Sequence, residues 1–133
     1  MVEVPYEEHQ AAGAELATDL ARESPTVAAL LREHWKDNEE MLPTVFLGDL
    51  ARWYVEAWTH RDEERRAYEE AIRVVDRLGS HFENGDPPLQ NTIAVGFVEV
   101  LPYPGEDGRG SVEGLPEPLR AERARMESWT PGT

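Results

Sequence analysis

The chain has 133 residues, length for one domain that buries roughly two thirds of its unfolded surface around a single core. Its 27 acidic residues outweigh 13 basic ones to give a net charge of −14, a field that repels phosphate backbones and anionic lipid, so neither nucleic acid nor membrane is expected as a partner. Cysteine is absent, which removes disulfides, thiolate metal sites, CxxC redox chemistry and a cysteine nucleophile together.

In chain order, five apolar segments follow helical rather than strand spacing. The first, residues 6–22, places Tyr6, His9, Gly13, Leu16, Ala17 and Leu20 on one side, with Pro5 where a helix begins. Ser24-Pro25 then reads as N-cap and first helical residue, because the hydroxyl accepts an orphan amide and proline has none to leave unpaired. The stripe of this second helix is Val27, Leu30, Leu31, His34 and Trp35. Asp37-Asn38-Glu39-Glu40 opposes the macrodipole at its C-terminus and predicts a stop there.

After Met41-Leu42-Pro43 comes the most apolar stretch, TVFLGDLARWYVEAW, which predicts the central helix. Phe46, Leu50, Trp53, Tyr54 and Ala57 share a face that Leu47, Ala51, Val55 and Trp58 widen, leaving a narrow polar strip of Asp49, Arg52, Glu56 and His60. Gly48 costs about 1 kcal/mol relative to alanine in mid-helix, so a close helix crossing is expected there. A fourth helix, 61–83, opens with Asp62, Glu63 and Glu64 and buries Tyr68, Ala71, Ile72, Val75, Leu78 and Phe82. Asn84-Gly85 predicts a left-handed end, and Asp86-Pro87 caps a fifth helix, 87–101, that buries Leu89, Ile93, Gly96, Phe97 and Val100.

A Pro/Gly-rich loop at 102–118 leads to a short helix around 119–127 and a frayed tail at 129–133. The expected architecture is all-α: a compact antiparallel bundle or short stack of helical hairpins, with five main helices plus a short C-terminal one, in a single domain. The N-terminal MVEVPYEEHQ has neither a basic leader nor an apolar core segment, and no window offers eighteen apolar residues, so a cytoplasmic protein is expected.

The polar residues offer recognition chemistry rather than a reaction. The four histidines, His9, His34, His60 and His81, stand at no mutual helical metal-site spacing, although His60 follows Glu56 by four. His34 on an apolar stripe is read as a hydrogen-bonded core residue. Asp37, Glu39 and Glu40 form a protein-contact patch or a solvated helix end, without the glycine and loop spacing of a calcium hand. Asp49, Arg52 and Glu56 interrupt an apolar helix along one line, as an intrahelical ion-pair ladder or as a recognition surface flanked by Trp53 and Trp58. Gln90 and Asn91, with Thr92, line a groove with Glu99 or decorate a helix start. Trp129 lies in a polar tail, either docked back or exposed to a partner. GEDGRG lacks the lysine of a phosphate loop, no GxSxG elbow occurs, and no catalytic residue, metal set or cofactor is assigned.

The strings MLPTVFLGDLARW, LQNTIAVGFVEVLP and LPEPLRAE, across residues 27–122, resemble a bacterial family of small helical domains of unknown function. Leu42-Pro43, Phe46, Gly48-Asp49, Trp53, Asn91, Phe97 and Glu99 carry the likeness. It implies an all-helical intracellular protein of the kind that accompanies bacterial toxins as an immunity partner, and it brings no catalytic residues. The expectation is a non-catalytic acidic module that covers a basic protein surface, against the alternatives of a small enzyme or ligand-binding domain with a polar cleft, and of a nucleic-acid mimic.

Overall fold

A computed structural model describes residues 6–129; Pro5 and positions 130–133 of the tail lie outside the described residues. Seven helices and no strand occur among those described: α1 (Tyr6–Ala21), α2 (Pro25–Asn38), α3 (Pro43–Thr59), α4 (Arg65–Asn84), α5 (Pro87–Ile93), α6 (Gly110–Glu113) and α7 (Glu117–Ser128), with a π-helical turn over Ala94–Val98. The predicted all-helical class holds, and none of these helices is long and apolar enough to cross a membrane.

Capping chemistry sets the starts of α2 and α5. Ser24 Oγ accepts from Val27 N–H at 3.1 Å and itself donates to Glu70 of α4 at 2.5 Å. Glu70 also accepts from the Thr26 amide and hydroxyl, both at 3.1 Å, so a side chain 44 residues away completes the cap. Partial burial works against the Glu70 carboxylate, but these bonds outweigh it and hold its pKa below the usual value. Asp86 accepts from Leu89 N–H at 3.0 Å at the start of α5. α2 stops where its terminal acids predict, with Glu39 in the left-handed region (φ 59°) and its amide returned to Trp35 C=O.

α3 is the hub, packed against α1, α2, α4, α5, the π turn and α6. Phe46, Leu47, Leu50, Ala51 and Tyr54 on it are essentially inaccessible, joined by Leu16, Leu20, Val75, Leu78, Phe97 and Leu119 in one core. Tyr54 carries a polar handle: its hydroxyl donates to Ser111 C=O at 2.7 Å and fixes α6 over the hub, while burial pushes the phenol pKa well up.

Several expectations need correction. α4 begins at Arg65 rather than 61, because Arg61–Glu64 form a turn closed by Glu64 N–H donating to His60 C=O at 2.8 Å. Gly85 is extended (φ −80°, ψ 162°) and not left-handed. Trp35, assigned to a buried stripe, is 44% exposed; His34 takes the interior position at 2%. The 102–118 segment is not all loop, since it contains α6 and the first two residues of α7.

The fifth helix differs most. Glu99 N–H donates to Ala94 C=O, five residues back, at 2.9 Å, which inserts one residue into the helical register. Continuing α spacing from Ile93 would bury Val100. The inserted residue rotates it outward to 46% exposure and brings Leu101 to the core at 1%. Gly48 does face a helix crossing, a Cβ there lying 3.9 Å from Gly96 O, but the glycine that the crossing requires is Gly96, where a Cβ would fall 2.9 Å from Leu47 Cβ and 3.0 Å from Thr44 Cα. At Gly48 the nearest atom would be Arg52 Nη1, 3.7 Å away.

Candidate functional site

Along α2, Leu30, Glu33, His34, Asp37 and Asn38 recur every three to four residues and so form one wall; Asp49, Arg52, Trp53 and Glu56 do the same along α3. The two walls enclose a groove of about 550 Å³. Four of the residues singled out in the sequence, Asp37, Asp49, Arg52 and Glu56, therefore meet across a helix pair, although Asp37 and Asp49 belong to different runs. Glu33, one turn before Asp37, was missed; its spacing from Asp37 was the available signal.

Beneath the groove the architecture is fixed by His34. Its Nε2 accepts from Leu42 N–H at 3.0 Å, so that nitrogen carries no proton, and its ring stands edge-on to Phe46 at 5.9 Å between centroids. Asn38 Nδ2 donates to His34 C=O at 2.9 Å. The predicted core role of His34 is met, and through it the α2–α3 connection is pinned to both walls. Above, Arg52 pairs with Asp49 one turn away. Among the described residues no cation pairs with Glu33 or Asp37, and Glu56 meets only His60 Nε2, at 2.9 Å. The rim is thus strongly anionic, with Trp53 and Leu30 as apolar surface inside it.

The remaining candidates are elsewhere or already occupied. Glu39 ends α2, and Glu40 accepts from Tyr6 Oη at 2.5 Å, tying α1 to the α2–α3 turn. Trp58 is half-buried under the Arg61 guanidinium at 4.1 Å and fills the space left by Gly110, where a Cβ would lie 2.3 Å from the ring. Gln90 Nε2 donates to Phe82 C=O at 2.9 Å, an interhelical strut. Asn91 on α5 and Glu99 at the end of the π turn are exposed, and neither lines the α2–α3 groove. Trp129 is 70% exposed, so the docked alternative does not hold.

A second polar cluster had no local signature. Asp19 of α1 accepts from Arg77 Nε at 2.6 Å and Nη2 at 2.8 Å, and lies 2.6 Å from His81 Nε2, partners 58 and 62 residues away. Arg77 and His81 hold the carboxyl of Asp19 far below the usual carboxylate range, against a smaller opposing effect of burial. A folded pKa below the unfolded value means that this interaction stabilises the protein fully above pH about 4 and fades as acid approaches the depressed folded pKa. Asp19→Asn is accordingly expected to destabilise at neutral pH and to converge on the parent protein as pH falls below about 4, in paired urea denaturations at pH 7 and pH 3. A difference that stays constant across that range would contradict the assignment.

Among known proteins, a family model described as a domain of unknown function (DUF7674) matches residues 17–129. No curated protein and no solved structure matches the chain.

Proposed function

The chain belongs to the DUF7674 domain family, and from that premise we propose that it is a non-catalytic acidic protein-binding module whose α2–α3 groove covers a basic surface on a partner protein. One observation carries the reading: Glu33, Asp37, Asp49 and Glu56 converge on a single groove that also holds Trp53 and only one guanidinium, that of Arg52. Carboxylates in this number attract an arginine- or lysine-bearing surface from a distance, and the indole and Leu30 offer apolar contact once it arrives. In the cell, a bacterial toxin paired with this chain as its immunity protein is the partner that such chemistry would suit. A cytoplasmic site of action goes with that reading.

Binding is tested by titration against the product of the adjacent gene at low and high salt. Asp49→Asn combined with Glu56→Gln is expected to weaken binding about tenfold at low salt, mainly through a slower association rate, and to flatten its salt dependence. Absence of affinity at every ionic strength would remove this partner. An affinity indifferent to the two substitutions would remove the groove.

A further inference from the structure

Three adjoining concavities follow one face of α1 as a channel. Their volumes are about 480, 360 and 160 Å³, and Leu89 lines all three. The first two share Asp19 and His81, and the last two share Ala12, so neighbours adjoin along α1. Glu8, Ala12, Glu15 and Asp19, spaced four, three and four residues apart, form one face of α1 and run about 16 Å along it at ~1.5 Å per residue. The far wall is built from the end of α4 and from α5, with half-buried Leu89 at its middle.

Charge along the channel is uneven. Arg22 and Arg77 both pair with Asp19 and neutralise that end. Glu15 in the middle concavity, which Arg22 also lines, and Glu8 and Asp86 at the other end, which His9 also lines, form no ion pair among the described residues. We propose that this channel docks a basic amphipathic helix of a partner protein, about three turns long, which sets an apolar side chain on Leu89 and its lysines or arginines beside Glu8, Glu15 and Asp86. The length of the α1 face, its apolar centre and its uncompensated carboxylates each match one property of that occupant. An extended strand of the same length has only half as many residues to present.

The test uses the full chain and a fluorescein-labelled 14-residue peptide, helical by hydrocarbon stapling, with leucines on one face and lysines on the other. Ala12 is exposed, so Ala12→Trp fills the channel without disturbing the core. Ala12→Trp and, independently, Glu15→Lys are each expected to weaken binding at least about tenfold in fluorescence anisotropy. Asp49→Asn with Glu56→Gln, in the other groove, is expected to leave it unchanged, which separates this proposal from the preceding one. Equal binding of a proline-interrupted peptide with the same composition would mean charge attraction alone and overturn the proposal, as would peptide affinity indifferent to Ala12→Trp and Glu15→Lys.

Discussion

Arg123→Met is expected to lower the unfolding free energy by about 2–5 kcal/mol, through the two backbone carbonyls from which it removes a donor. Arg123 is 1% exposed, yet it donates to Val98 C=O at 2.6 Å, to Pro102 C=O at 2.9 Å and to Glu127 at 2.5 Å, and its guanidinium lies 4.1 Å from the Tyr103 ring. Replacing a whole buried ion pair by apolar residues is often neutral, but here two of the three acceptors are backbone carbonyls that no substitution removes. They lie at and just beyond the π turn, where helical bonding has been interrupted. Glu127 would keep Arg109, whose Nη2 reaches it at 2.8 Å, so the loss falls chiefly on Val98 and Pro102. Urea denaturation should show a lower midpoint with an unchanged slope. Arg123→Lys, which keeps the charge but not the planar fork, should fall between. A midpoint shift worth less than about 1 kcal/mol for methionine would mean that water replaces the guanidinium at both carbonyls.

Gly96→Ala is expected to cost about 1–3 kcal/mol, whereas Gly48→Ala, in the adjacent helix, is expected to gain up to about 1 kcal/mol. The two glycines sit in the same α3–π contact and differ in what a methyl would meet. At Gly96 it meets the Cα of Thr44 and the Cβ of Leu47, atoms attached to the hub backbone that cannot swing aside. At Gly48 it meets the mobile end of Arg52 at 3.7 Å, so the entropic advantage of alanine prevails. Thermal unfolding of the two variants should move the midpoint in opposite directions. A shared direction would place the crossing elsewhere.

Much of the fold was legible because local chemistry decided it. Ser24-Pro25 and Asp86-Pro87 mark helix starts by supplying an acceptor and removing a donor within three residues, a test that needs no tertiary contact. The stripe from Phe46 through Leu50 to Tyr54 identified the hub, since only a helix surrounded by others leaves so narrow a polar strip. Those same strip residues, Asp49, Arg52 and Glu56, reappear in the α2–α3 groove because a polar line on an apolar helix marks where its neighbours part.

What failed in the sequence failed for identifiable reasons. Periodicity puts Val100 inside because it assumes a constant 3.6 residues per turn, and the π turn at Ala94–Val98 adds one residue that no side-chain pattern announces. Gln90 and Trp58 also have internal partners that no local pattern announces, the Phe82 carbonyl and the space over Gly110. Arg123 and Glu127 stand four residues apart, a spacing that any surface ion pair of a helix shares; only the path of the chain over α7 buries the arginine.

The sequence by itself determined six of the seven helices, most of their ends, the central role of α3 and the acidic character of the chain, because each follows from forces acting within a few residues along the chain. Tertiary structure alone decided which charges meet: Asp19 with Arg77 and His81, Glu70 with Ser24 and Thr26, Arg123 with the Val98 and Pro102 carbonyls. A charged side chain carries no periodic signature of its partner, and its pairing is set only once packing of the apolar faces has fixed how the helices lie against one another.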